Sequence, residues 1–479
     1  MNNFVKTNIH MMAKLTQTEL TDRHLEILQF AYDYYKLNKV GPLFNNFYKN
    51  IGATKEEITK LFPHGLNSIY TWVGIPIQSI KDGCKPAADI TAPDYREVYL
   101  DYNATTPLKK EITDELINFF SANNTYGNPS SSTKLGVKAH DIIDFSRKKI
   151  ASLINAPKNS KIIFTGGGSE AINLAIKGIA FANFEKKGHI ITTEIEHSAV
   201  LKSCEFLSNL GFEITYLKPD KYGLIHPEQL ENAIKQNTIL ISVMFANNEI
   251  GTINDLKELC AVAKKYNIPF MTDATQAFGK VKIDVDDLGI DLMAFSAHKL
   301  YSPKGIGALF IKDNIKIVPL IHGGDQEFGL RAGTENTAFI YAFALGAIYA
   351  HKEMESEGKR LTDLRNYFFE ELKKIHPDII LNGHPEKRLP NNLNVGFKGF
   401  DSGSILLSLN QIGVYVSSGS ACHAGSIETS HVIRSIGVDT DNYGIIRFSL
   451  GYNTTKEDLD YVLKYLPEIL RQLKENFIN

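Results

Sequence analysis

Much of what this chain lacks narrows the field of what it does. Only four cysteines occur in 479 residues, Cys84, Cys204, Cys260 and Cys422, widely separated and without a CxxC pair. Neither a disulfide framework nor a zinc site is indicated, and no residue is assigned as a metal ligand. No stretch approaches the roughly 18 uncharged apolar residues of a spanning helix. The opening MNNFVKTNIHMMAKLTQ has no apolar signal core, so a cytoplasmic location is expected. Lysine and arginine number 52 against 54 acidic residues, a net charge of -2, which gives no electrostatic case for nucleic acid or an anionic membrane. The pattern GxxxxGK[ST] is missing, which disfavours a nucleoside triphosphatase. GxGxxG followed by an acidic residue about 20 positions on is missing too, which disfavours a dinucleotide site. There are no repeats or low-complexity tracts.

What is present is enough chain for two to four domains, with 43% apolar and 22% charged residues. Residues 20–80 carry three helix-like patterns, the first opened by Thr21-Asp22 as an N-cap before Leu25, Ile27, Leu28 and Phe30. Residues 82–94 are polar, are broken by Pro86 and Pro93, and read as a linker. From Val98 on, strand and helix patterns alternate, with strands expected around residues 162–164, 190–192, 239–245, 269–273, 292–296 and 308–311. That alternation predicts an α/β fold with a mainly parallel sheet. From about Ala344 the pattern changes to long helices around a few strands, as expected of a smaller second domain.

The chemistry clusters just after the expected strands. The run Asp291-Leu292-Met293-Ala294-Phe295-Ser296-Ala297-His298-Lys299 and the neighbouring Ile268-Pro269-Phe270-Met271-Thr272-Asp273 are apolar segments that end abruptly in polar groups. Buried parallel strands whose ends line a site read this way. A lysine that forms a Schiff base, with an aspartate that keeps a pyridine nitrogen protonated, is what pyridoxal phosphate (PLP) chemistry requires. Thr165-Gly166-Gly167-Gly168-Ser169-Glu170 follows a strand and opens an apolar helix. Its glycines allow close backbone approach, and unpaired amides at a helix start suit a phosphate. His197 stands just past another strand, where it stacks on a ring, moves protons or merely caps a turn. Asn247-Asn248 is placed either to bond a phenolic oxygen or to close a turn.

Two further signals lie toward the C-terminus. Cys422 sits in the small, polar run Val416-Ser417-Ser418-Gly419-Ser420-Ala421-Cys422-His423-Ala424-Gly425-Ser426, where an exposed thiol beside His423 points to a nucleophile. Cys204 and Cys260 instead fall in apolar helical patterns and read as core residues. Arg447 interrupts the apolar strand pattern of residues 444–451, which calls for either a substrate carboxylate or an internal salt bridge.

Taken in order, YLDYNATTP, YGNPSS, FTGGGSEAINLAIKG, EHSAV, ANNEIGTI, DATQAFGK, FSAHKLYSPKGIGALF, RAGTENT, SSGSAC and RFSLG make residues 98–470 resemble the PLP-dependent cysteine desulfurases of the class V aminotransferase superfamily. The resemblance implies a type I PLP-dependent transferase fold: a large domain with a mainly parallel sheet over residues 98–343 and a smaller C-terminal α+β domain over 344–479. Residues 98–115 are placed where they can pack with that small domain. It implies a homodimer and a reaction in which L-cysteine yields L-alanine and a persulfide on Cys422, with a selenocysteine lyase as the alternative. By position, Lys299 is the Schiff-base lysine, Asp273 the pyridine partner and His197 the stacking and proton-transferring group. Asn248 and Gln276 bond the phenolic oxygen. Gly168, Ser169, Ser296 and His298 hold the phosphate, Thr334 reaches in from the other subunit, and Arg447 takes the substrate carboxylate. Thr133 stands where histidine often follows the GNPSS run.

Residues 19–84, with Leu61-Phe62-Pro63-His64-Gly65 and Trp72-Val73-Gly74-Ile75-Pro76, resemble the DsrC/TusE sulfur-relay proteins. This predicts a small, mainly helical domain behind a disordered stretch at 1–18, joined by a linker at 85–97. It implies Cys84 as a sulfur acceptor, although the chain runs on past it and its spacing from Ile75-Pro76 is longer than in that family. The alternative is a docking adaptor for a sulfur-acceptor protein, with transfer RNA thiolation or iron–sulfur assembly as the destination.

Overall fold

The computed structural model describes residue 1 and residues 3–38, 41–75, 92–122, 125–418 and 430–476. The described residues divide into two compact units, one reaching to Pro93 and including those from Arg471 on, the other spanning Asp94–Leu470. The division falls inside the expected linker. Among the described residues no helix is long and apolar enough to cross a membrane.

The first unit is helical, with helices at Asn3–Leu15, Asp22–Asn38, Phe44–Ile51, Lys55–Leu61 and Leu66–Val73. The expected disorder at 1–18 is corrected by the first of these. Val5, Ile9 and Ala13 recur every four residues, form one stripe, and are buried with Ile27, Leu28, Phe47 and Ile58. Thr21 stands at the start of the second helix as expected, with its hydroxyl against the His24 ring at 2.7 Å. The two motif runs are structural: Phe62 and Trp72 meet edge to face, 5.4 Å apart, in the centre of the core. Gly65 and Gly74 cap the last helix at φ 57° and 75°, conformations a side chain resists.

Among the described residues, the second unit is built on twelve strands: β1 (Val98–Tyr99), β2 (Lys161–Thr165), β3 (His189–Thr193), β4 (Glu213–Leu217), β5 (Thr238–Ser242), β6 (Phe270–Asp273), β7 (Leu292–Ser296), β8 (Gly307–Ile311), β9 (Ile380–Asn382), β10 (Asn392–Lys398), β11 (Val414–Tyr415) and β12 (Tyr443–Ser449). Seven form one sheet in the order β2-β8-β7-β6-β5-β3-β4. Only β8 runs against the rest. All six expected strands are present; β4 is additional.

Successive residues of these strands feed opposite cores. Ile162, Phe164, Ile191, Phe270, Met293 and Phe295 pack on one face, whereas Ile163, Ile190, Met271, Leu292 and Ala294 pack on the other. A sheet buried on both faces needs apolar residues at every position, which explains the continuous apolar runs. The 39-residue helix Thr337–Ile375 leads to a second sheet, antiparallel and ordered β12-β10-β9. β1 pairs in parallel with β11, so the start of this unit packs with its C-terminal part, as expected. The change of pattern expected near residue 344 falls inside that long helix, which begins at Thr337.

Candidate active site

The carboxyl ends of β3, β5, β6 and β7 and the turn after β2 converge on one cavity of about 270 Å³. Parallel strands end together there, and a ligand crevice forms just beyond them. Among its lining are Gly168, Ser169, His197, Asn248, Asp273, Gln276, Ser296, His298, Lys299 and Arg447. Ten of the expected site residues, scattered over 280 positions of sequence, thus share one wall. Thr334 is exposed and does not line this chain's cavity. Cys422, His423 and Cys84 lie outside the described residues.

Lys299 ends the short turn Ala297–Lys299 that follows β7. Its Nζ donates to the backbone oxygens of Asn103 and Ala104, each at 2.6 Å. The turn is clamped by the distant ATTP run, since both the amide and the hydroxyl of Thr106 donate to the His298 carbonyl, at 3.1 and 2.9 Å. Asp273, at the end of β6, is buried and accepts from the Thr275 amide at 2.9 Å. His197 caps the helix Ser198–Asn209, its Nδ1 accepting from the Ala199 amide at 3.1 Å, so a neutral ring carries its proton on Nε2. His298 sets Nδ1 against the Thr105 hydroxyl at 3.1 Å. Burial, and then the charge of Lys299, push its pKa down to about 4, which leaves an uncharged ring at neutral pH.

The glycine turn is shaped for close approach. Gly167 has φ 155°, and a Cβ on Gly307 of β8 would stand 2.6 Å from the Gly167 carbonyl carbon. Glycine is therefore required at both places for the helix Gly168–Ala182 to start where it does. Glu170 fixes the turn, accepting from the Gly166 amide at 2.7 Å and pairing with Arg331 at 2.8 Å. Gly168 and Ser169 at that helix start line the cavity with Ser296 and His298, and unpaired amides at a helix start suit a phosphate.

Of the two expectations for Arg447, the internal salt bridge is present. This arginine lines the cavity and pairs Nη2 with Asp101 at 2.5 Å, while Nη1 donates to the Asn248 carbonyl at 3.0 Å. Its Nε is buried without a partner among the described residues. Cys204 and Cys260 are buried as expected, and burial pushes both thiols up, Cys204 to about 12. Thr133 is the N-cap of the helix Lys134–Leu153, its hydroxyl accepting from the Gly136 amide.

Sequence reasoning missed Asn103, Glu196 and Lys280. Asn103 is a buried hub: its carbonyl accepts from Lys299 and from Gln276, and its side-chain oxygen accepts from Asn391. Its only signal was membership of the YLDYNATTP run. Glu196 is fully buried on the cavity wall, with Oε1 accepting from the Thr193 hydroxyl and the Met244 amide at 2.8 Å each and Oε2 unpartnered. Burial raises its pKa to about 8, so its carboxyl is mostly protonated at neutral pH.

Residues 98–462 match the family Aminotransferase class-V. The chain belongs to that family. A protein named cysteine desulfurase IscS, from Dictyoglomus turgidum, is 51% identical over 380 residues, which cover 79% of this chain and 96% of the relative. A solved NifS-like protein superposes with a TM-score of 0.73 at 35% identity, covering 78% of this chain and all of its own. The structure described as SspA in complex with cysteine matches with a TM-score of 0.65 at 38% identity, covering 74% and 98%. Enzymes of this IscS and NifS type depend on PLP, and the α/β fold with its small second domain is theirs. Residues 1–76 match the DsrC like protein family, so this class-V aminotransferase carries a DsrC-like domain in front.

Proposed function

We infer that the chain is a PLP-dependent cysteine desulfurase that takes the sulfur of L-cysteine, releases L-alanine and holds the sulfur as a persulfide on Cys422. The observation that carries this is the meeting of Lys299, Asp273 and the glycine-opened helix start on a single cavity. The 51% identity to a named cysteine desulfurase supports the same reading.

The residues present fit the cofactor. The Lys299 amine is the point of attachment, Asp273 is the carboxylate for a protonated pyridine nitrogen, and the cradle of Gly168, Ser169, Ser296 and His298 is crowded enough that an added Cβ at Gly307 or Gly168 would press on it. Bound there, PLP supplies an electron sink for cleavage at the substrate's α and β carbons. The protein's own groups do the rest. His197 stacks over the ring and moves a proton at Nε2; uncharged His298 donates to phosphate; Asn248 and Gln276 bond the phenolic oxygen. Arg447 orients the substrate carboxylate, which shares it with Asp101. Cys422 as thiolate takes the sulfur, forming a sulfur–sulfur bond as the carbon–sulfur bond breaks.

The active unit is a homodimer, in which exposed Thr334 reaches the partner subunit's phosphate site. Sulfur then passes from Cys422 to Cys84 and on to an acceptor protein. The DsrC-like match over residues 1–76, with Cys84 shortly beyond it, supports this route. Tethering donor and acceptor in one chain gives an effective concentration of order millimolar.

Cys422→Ala is expected to abolish alanine formation from cysteine while keeping the absorption of lysine-bound PLP; full turnover in that variant refutes the persulfide step. After reaction with ³⁵S-labelled cysteine, label is expected on Cys422 and then on Cys84. Unchanged delivery to an acceptor by Cys84→Ser removes the relay and leaves the N-terminal unit as a docking domain.

A further inference from the structure

Behind the cofactor cavity lies a second, smaller one of about 60 Å³, and Lys299 lines both. Lys280 lines the second but not the first. Its chain is half-buried, and its Nζ donates to Oε1 of Gln276 at 2.8 Å. At the other end of the same amide, Nε2 donates to the Asn103 carbonyl at 2.9 Å. That carbonyl also accepts from Lys299 Nζ, so the nitrogen end of Gln276 is the end beside the reacting amine. Gln276 is buried, and its amide carries two acceptor sites on oxygen and two hydrogens on nitrogen.

We propose that Lys280 is a positioning residue for the cofactor site: it occupies the oxygen of Gln276 and so holds the amide with an N–H available to the bound PLP. The proposal rests on the PLP reading above and extends it to a residue outside the cavity. Its physical basis is that a buried amide oxygen without a donor is costly. Once Lys280 is removed, the amide turns to find another donor, and Lys299, whose Nζ shares the Asn103 carbonyl with Gln276 Nε2, is an amine at its side. Gln276 then competes for the reacting nitrogen and withdraws its N–H from the ring oxygen. The charged groups around Lys280 are Lys299 and Arg447, whose repulsion adds to burial, together with Lys109, Glu353 and Glu357 of the second cavity. Lys109 is already paired with Glu353 at 2.6 Å. Burial and its cationic neighbours push the Lys280 amine down to about 7. Both its ammonium and its amine forms keep a hydrogen to donate, so the clamp persists across neutral pH.

The test is a double-mutant cycle on the PLP-loaded enzyme, reading the pH at which the visible absorption of lysine-bound PLP changes form. Lys280→Met and Gln276→Ala are each expected to move that pH by about 0.5 or more, a roughly threefold change in proton affinity. The double variant is expected to move it no further than Gln276→Ala alone, because Lys280 acts through that amide. Lys280→Gln, which keeps an N–H donor without the charge, is expected to retain the wild-type value. An unmoved transition in Lys280→Met, shifts that simply add, or a shifted Lys280→Gln overturns the proposal. Should Lys280→Met fail to fold, the Lys280→Gln result still decides between donor and charge. If the wild-type protein shows no lysine-bound PLP absorption at all, it is the cofactor reading that fails instead.

Discussion

Glu196→Gln should lower stability at acidic pH and match or exceed the parent protein's stability at alkaline pH. In the native state the carboxyl is enclosed on the cavity wall, with one oxygen bonded twice and the other unpartnered. Burial, opposed by those hydrogen bonds and reinforced by the charge of Asp273, raises its pKa from 4.5 to about 8. Below pH 4.5 the folded and unfolded chains both hold the proton and the group is neutral to stability. Between about 4.5 and 8 the unfolded chain releases it while the native state keeps it, so stability falls as pH rises through that window. At 1.36 kcal/mol per tenfold in proton affinity, the full loss is at most about 5 kcal/mol. Glutamine keeps the shape and the accepting oxygen but cannot ionise. Its extra unpartnered hydrogen costs about 1–3 kcal/mol at every pH. The variant should therefore be less stable than the parent at pH 5 and as stable or more so at pH 9. Urea unfolding of both PLP-saturated proteins at pH 5, 7 and 9, followed by loss of the cofactor absorption, measures the difference. A difference that stays constant with pH refutes a protonated Glu196.

Gly307→Ala should press a methyl group on the Gly167–Gly168 backbone, with contacts of 2.6–2.9 Å, so the cradle must shift. PLP affinity is expected to fall about tenfold or more, with about 1–3 kcal/mol of lost stability, readable by equilibrium dialysis and by melting. Phe62→Ala should remove the edge-to-face partner of Trp72 in the N-terminal core and cost that unit about 3–5 kcal/mol. Limited proteolysis is expected to cut the N-terminal unit while the PLP-bound unit stays intact; equal resistance of both refutes an independent N-terminal core.

The site was legible where chemistry follows a strand in the local sequence. Lys299, Asp273, His197 and the glycine turn each come directly after an apolar run, because a doubly covered parallel sheet needs such runs and its carboxyl ends carry the ligand. β4 escaped because its Glu213-Ile214-Thr215-Tyr216-Leu217 pattern is mixed at the sheet edge, where only Leu217 is buried. The first helix escaped because its buried stripe, Val5, Ile9 and Ala13, is narrow in a polar segment.

By itself, then, the sequence determined the six main strands of the large sheet and which side chains follow them, through hydrophobic period and residue chemistry, which are local. Its ordered motifs determined the family. Only the tertiary structure decided which of those groups share a cavity and what state each is in. Asn103 reaches Lys299 across 196 positions, and Asp101 claims Arg447 across 346. Gln276 was expected at the cofactor from its motif, but only the packed structure sets Lys280 and Asn103 at the two ends of its amide. Whether Glu196 is charged, and which ring nitrogen of His197 carries the proton, depends on desolvation and hydrogen bonds that exist only once distant segments are packed together.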